Sequence, residues 1–184
     1  MARIIFVLII AGICFGVFFE KPKESPELPK KEVLRAPTKW EVAMQRALPK
    51  IINNYKEDVE EAGRKFNVNP DIIVAILVVE SMGDPYALSS KGARGCMQTL
   101  PSTDVEINMQ GHDSFDCPTS IMKGTKYLTV LRGRYGLTDP YQAIVAYSDG
   151  PTRVKNYTEE EILNKSYLWK IRAVMRKIPE GTFL

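Results

Sequence analysis

Residues 80–101, ESMGDPYALSSKGARGCMQTLP, open with a carboxylate, Glu80, that directly follows an uncharged run from Ile72 to Val79. The run predicts a helix, which places Glu80 near its C-terminal end with Gly83 as the expected terminator. Apolar surroundings disfavour an ionised carboxylate, and the negative end of the helix dipole disfavours it again. A carboxyl held there keeps its proton closer to neutral pH than a free Glu, as a general acid must. The competing reading of position alone is a Glu that snorkels from a helix end into water.

The residues that follow weigh against snorkelling. Ser81, Ser89 and Ser90 offer short hydroxyls, and Gly83, Gly92 and Gly95 let the backbone lie close to a bulky ligand. Gln98 adds an amide that donates and accepts at once. Neutral hydrogen-bonding groups around one carboxyl suit a sugar better than a phosphate or a metal. Asp84 and Asp104 read as ordinary solvated acids.

The stretch from Glu80 to Gln98 resembles the signature of the soluble lytic transglycosylase (SLT) family, E-S-x-x-x-P-x-A-x-S-x-x-G-A-x-G-L-M-Q, with Cys96 at the Leu position. Downstream, AIVAYSDGPTRV is similar to that family's A-x-A-A-Y-N-A-G-P-x-x-V, and the G-x-x-Y-L core matches at Gly124, Tyr127 and Leu128. The resemblance covers about residues 69–157, most of the folded part. It implies a lysozyme-like (goose-type/SLT) α-domain with Glu80 as the single catalytic acid/base. The implied substrate is the glycan strand of peptidoglycan, cut between N-acetylmuramic acid and N-acetylglucosamine with closure of a 1,6-anhydro ring. By the same resemblance Ser89 and Gln98 line the sugar cleft with Met97, Leu100 sits where a Met packs on the sugar, and the Tyr147 hydroxyl lies close to the carboxyl. No cofactor and no metal are implied.

The sequence departs from the pattern at Ser148 and Asp149, in place of Asn and Ala, and at Ser120, where Asn is common. Asp149 opens a second reading, a muramidase-type hydrolase in which a loop carboxylate directs a water. A third reading is a non-catalytic peptidoglycan-binding module, against which the intact Glu80 and Tyr147 argue. Cys96 and Cys117 are expected as packed or free thiols, because Cys96 replaces a buried Leu, although export would permit a disulfide. A zinc site from Cys96, His112 and Cys117 lacks any tight C-x-x-C spacing, and nothing else around Cys96 fits a Cys–His protease. Trp40, Trp169 and the tyrosines read as core or rim residues rather than sugar platforms.

Helices must hold these residues. Thr38 predicts a cap for a helix that stops before Pro49, and Ile51, Ile52, Tyr55, Val59, Ala62 and Phe66 form the stripe of a second. Asn69 and Pro70 open the apolar helix, which should be central because it is apolar all round. Ile121, Gly124, Leu128, Leu131 and Tyr135 align on another, with Gly124 admitting a close neighbour. Asp139 with Pro140 opens the next, Thr158 and Glu161 form a capping box, and Leu168, Ile171, Met175 and Ile178 make a last stripe. The fold is mainly α, with at most a short hairpin near 87–98.

Ahead of the domain at 38–184, Arg3 precedes sixteen uncharged residues, Ile4 to Phe19. This 1–19 segment reads as an uncleaved membrane anchor, with a signal peptide cleaved near Gly16 as the alternative. Residues 20–37 are rich in proline and charge and read as a semi-extended linker reaching on the order of 50 Å. Either N-terminal reading exports the domain, to the periplasmic face of the inner membrane or into the periplasm. Peptidoglycan strands and the membrane are then the expected partners, with an envelope-spanning secretion machine as a further candidate. A net charge of +3, with Lys and Arg mixed among Glu, argues against a nucleic-acid partner.

Overall fold

A helix that is apolar on every side needs partners on every side. In the computed structural model, which describes residues 36–183, three other helices supply them. The apolar helix is α2 (Pro70–Ser81), and Ile72 to Val78 are all buried in it. Around it pack α1 (Lys39–Phe66), α4 (Cys117–Gly133) and α8 (Ser166–Met175). The short α3 (Pro101–Glu106), α5 (Pro140–Asp149), α6 (Pro151–Val154) and α7 (Glu159–Leu163) complete the domain. No strand forms among the described residues; two isolated antiparallel bridges, Leu88 with Arg94 and Arg94 with Thr99, are all that the expected hairpin amounts to.

The caps follow the sequence. Thr38 and Glu41 close a capping box on α1, the Asn69 side chain accepts from the Asp71 N–H, and Thr158 and Glu161 close a second box on α7. Asp116 and Asp139 cap α4 and α5. Of the last stripe, Leu168 and Ile171 are buried together with Val174, while Met175 and Ile178 are partly buried against the core.

Two expectations are corrected. The two helices expected to meet at Pro49 are one, α1, which runs through the proline. Pro49 is exposed, and the carbonyl it deprives of a donor belongs to exposed Gln45, where water can replace it. The terminator of α2 is Met82, in the left-handed region at φ 56°, rather than Gly83. Gly83 follows at φ 81°, and a Cβ there would sit 2.7 Å from Ile51 Cγ1, so its missing side chain lets the turn lie on α1.

The expected membrane segment and nearly all of the linker lie outside the described residues. Among those that are described, no helix is long and apolar enough to cross a membrane.

Candidate active site

Glu80 is the penultimate residue of α2, partly buried, and its Oε1 accepts a hydrogen bond of 2.6 Å from the Tyr167 hydroxyl of α8. Burial raises its pKa from 4.5 to about 7, against the opposing pull of the Tyr167 hydrogen bond and the Lys170 charge. Tyr167 is itself pushed well above 10 by burial and by Glu80, so it stays a hydroxyl and a donor. Lys170 lies one turn further along α8 on the same side as Tyr167. Its ammonium is 5.8 Å from the ring centre of Trp40, which in turn packs at 6.0 Å against Trp169, as rim residues of this end of the domain.

The turn after Glu80 is anchored residue by residue. The Ser81 hydroxyl donates to the Cys96 carbonyl at 2.8 Å and accepts from the Gly83 N–H at 3.1 Å, joining the helix end to the GCMQ segment. Met97 N–H donates to the Ser120 hydroxyl at 3.0 Å, so a side chain shorter than Asn still holds this segment. A Cβ on Gly124 would stand 2.6 Å from both Met97 Cε and the Tyr147 hydroxyl, and here the close approach expected of Gly124 is realised.

Beneath the segment, Lys123 is fully buried and donates to Asp104 Oδ2, the His112 carbonyl and the Ser114 hydroxyl, each at 2.7 Å. Asp104 also accepts from Thr99 at 3.0 Å and Ser114 at 3.1 Å. Asp104 is therefore a buried ion-pair partner and not the solvated acid expected, because Lys123 needs a counter-charge inside the core.

The sequence-predicted site residues divide into those at the carboxyl and those that build its support. Tyr147 does not donate to Glu80: its hydroxyl goes to the Met97 carbonyl at 2.7 Å, and the hydroxyl that reaches Glu80 is that of Tyr167. Tyr147 is still near enough for the Glu80 charge, after burial, to help raise its pKa. Met97 is fully buried and packs in the core. The Ser89 hydroxyl accepts from Ala93 N–H at 3.0 Å and closes a turn. Gln98, at φ 51°, donates both amide hydrogens, to Ala87 O at 2.9 Å and Gly95 O at 3.0 Å, leaving its carbonyl oxygen for a ligand. Leu100 is partly buried at the N-cap of α3.

Cys96 and Cys117 form a disulfide rather than free thiols. Cys96 comes from the segment after Glu80 and Cys117 from the first turn of α4, with Cα atoms 5.5 Å apart. Neither sulfur is left as a thiolate for zinc or for nucleophilic attack. Closing a loop of 21 residues stabilises the fold by about 3 kcal/mol on the chain-entropy account. Reduction is expected to lower the melting temperature by roughly 10 °C, checked by thermal denaturation with and without dithiothreitol beside Cys117→Ser.

Asp149 is engaged elsewhere. Its Oδ2 pairs with Lys165 at 2.9 Å and accepts from Tyr157 at 3.0 Å. Burial pushes its pKa up, but these two hydrogen bonds outweigh burial and hold it low. A groove of about 690 Å³ is lined in part by Asn69, Pro70 and Asp71 and lies at the end of α2 away from Glu80.

Tyr167 is the partner of Glu80 that sequence reasoning missed. It is 87 positions from Glu80 and flanks the apolar stripe of α8 without belonging to it. Replacing it with Phe removes the hydrogen bond that favours the charged carboxylate, so the pKa of Glu80 is expected to rise. The alkaline limb of activity should move to higher pH and turnover should fall about tenfold, read from pH–rate profiles of Tyr167→Phe beside the parent chain.

Residues 57–169 match the model of the Transglycosylase SLT domain. The endo-type membrane-bound lytic murein transglycosylase A of Klebsiella pneumoniae is 31% identical over 162 residues, 80% of this chain and 70% of that protein. Membrane-bound lytic murein transglycosylase C of Mannheimia succiniciproducens is 28% identical over 70% of this chain, which spans only 39% of it. The 70 kDa soluble lytic transglycosylase of Escherichia coli superposes with a TM-score of 0.56 at 18% identity, over 73% of this chain and 30% of its own. An inactive Glu-to-Gln mutant of the lytic transglycosylase Slt of Pseudomonas aeruginosa gives 0.55 at 17% identity, over 71% and 26%. The lysozyme-like α-fold expected from the signature is the fold these neighbours share, and the chain belongs to the Transglycosylase SLT domain family.

Proposed function

We propose that the chain is a peptidoglycan lytic transglycosylase, with Glu80 as its only acid/base, exported and held at the membrane by its N-terminal segment. The observation that carries this reading is the Glu80 carboxyl itself, partly buried at a helix end, held by one neutral hydroxyl and raised to about 7. A group with that affinity for its proton can give it to the bridging oxygen as the bond to C1 of the muramic acid breaks through an oxocarbenium-like state. The carboxylate so formed keeps the Tyr167 hydrogen bond. It then takes the proton from the muramic acid 6-hydroxyl as O6 closes onto C1, and Glu80 ends the cycle protonated as it began. No water enters the products.

The engagement of Asp149 by Lys165 and Tyr157 favours this route over the hydrolase, which needs a second free carboxylate. The membrane-bound names of the murein transglycosylases from Klebsiella and Mannheimia fit an anchored enzyme facing the wall. The test is the product: digestion of purified sacculi by the exported domain should release 1,6-anhydromuramyl ends. Reducing muramic ends would indicate the hydrolase, and binding without release the non-catalytic peptidoglycan-binding module.

Because the acid must enter the cycle protonated, activity should decline as pH rises through about 7, the pKa of Glu80. A rate that stays level from pH 6 to pH 9 would contradict a raised acid.

A further inference from the structure

Asp149 departs from the family pattern, and the Glu80 chemistry gives it no step. It is the last residue of α5, and its partner Lys165 is the N-cap of α8. Each charge stands at the unfavourable end of its helix, an anion at a C-terminus and a cation at an N-terminus. Neither placement stabilises the helix that carries it, so the two charges answer to each other. Lys165 Nζ lies 2.9 Å from Asp149 Oδ2 and 3.8 Å from the centre of the Tyr157 ring, and the Tyr157 hydroxyl donates to the same oxygen at 3.0 Å. The Ser148 hydroxyl donates to Oδ1 at 3.3 Å. Together these contacts keep Asp149 ionised. The Lys165 side chain makes no capping hydrogen bond to α8; through the ion pair it ties the start of that helix to the end of α5.

Both tied helix ends carry a tyrosine of the Glu80 site. Tyr147, two residues before Asp149, donates to the Met97 carbonyl at 2.7 Å. Tyr167, two residues after Lys165, donates to Glu80 Oε1 at 2.6 Å. We propose that Asp149 is a positioning residue of the active site: through Lys165 it clamps the first turn of α8 to α5 and so holds the Tyr167 hydroxyl on the Glu80 carboxyl. The inference rests on the reading of Glu80 as the acid that cuts the glycan, and it gives Asp149 a part in that reaction without contact with the sugar. The titratable groups that bear on Glu80 are Tyr167 and Lys170 of α8 and Tyr147 of α5. Lys170 stands one turn deeper in α8, so loosening the first turn acts on Glu80 through Tyr167.

Carbon-13 NMR of the Glu80 carboxyl in the full chain, without substrate, reads the clamp with no bond being cut. Asp149→Ala loosens a hydrogen bond that favours the carboxylate, so the Glu80 midpoint should rise by about half a pH unit and turnover should fall about threefold, the scale of a part-exposed ion pair. Lys165→Met should do the same, and the two together no more than either. A through-space effect of charge would instead lower the midpoint in Asp149→Ala and raise it in Lys165→Met. Lys165→Arg keeps the pair and should keep the parent midpoint. In the Tyr167→Phe background, Asp149→Ala should move the midpoint no further. A midpoint that stays put or falls in Asp149→Ala, or an equal rise with Tyr167 already replaced, would overturn the proposal. A collapse of turnover at an unmoved midpoint would overturn it too, by placing Asp149 in the reaction itself. Failure of the parent chain to cut sacculi would instead count against Glu80 as the acid, and the midpoints would still decide the clamp.

Discussion

Glu80→Gln is expected to lower turnover on peptidoglycan by at least about a thousandfold, since in the proposed mechanism one group supplies both the acid and the base. The same substitution is expected to stabilise the fold above neutral pH. The folded-state pKa of Glu80, about 7, lies above its ordinary value of 4.5. The favourable contribution of the protonated form is therefore complete below about pH 4.5 and is lost as pH rises through 7. Above that range the buried carboxylate costs about 3 kcal/mol relative to a group that does not titrate. Gln keeps the shape and an acceptor for Tyr167 without the charge. Chemical denaturation at pH 5 and pH 8 should show the variant gaining on the parent chain as pH rises. A variant that loses stability along with activity would mean that the carboxylate holds the fold together instead of being strained within it.

Lys123→Met is expected to destabilise the domain by about 3–5 kcal/mol, a drop of roughly 10–15 °C in melting temperature. Lys123 is completely buried and donates to three acceptors, one of them Asp104. Removing it leaves Asp104 charged and buried with only the Thr99 and Ser114 hydroxyls. Those residues flank the segment that carries Met97 and Gln98, so activity should fall with the fold. Adding Asp104→Leu removes the orphaned charge and should recover part of the loss. Thermal melts of both variants give the comparison. An unchanged melting temperature in Lys123→Met would show that water reaches the pair and that the core does not depend on it.

Much of this was legible in the sequence because it is local. An apolar run capped by Asn69 and Pro70 specifies its own helix and, by being apolar on all faces, its central place. Glu80 inherits its burial from that run, and Gly124 announces a close neighbour by having no side chain. What escaped depends on distant residues meeting. Tyr167 reaches Glu80 only once α8 packs on α2, and no spacing encodes that pairing. Asp104 looked solvated because its partner is a lysine, a residue almost never fully buried unless paired. The disulfide depends on the segment after Glu80 lying over the start of α4. Pro49 reads as a stop because a proline ends most helices, whereas at an exposed position water stands in for the lost donor.

The proposed chemistry depends on the protonation of one carboxyl. Carbon-13 NMR of the domain labelled at its Glu side-chain carboxyls, with Glu80→Gln to assign the resonance, reads that protonation directly. A titration midpoint near 7 is the expected result. A midpoint near 4.5, the ordinary value for Glu, would contradict the account, because the site would then hold a carboxylate with no proton to give.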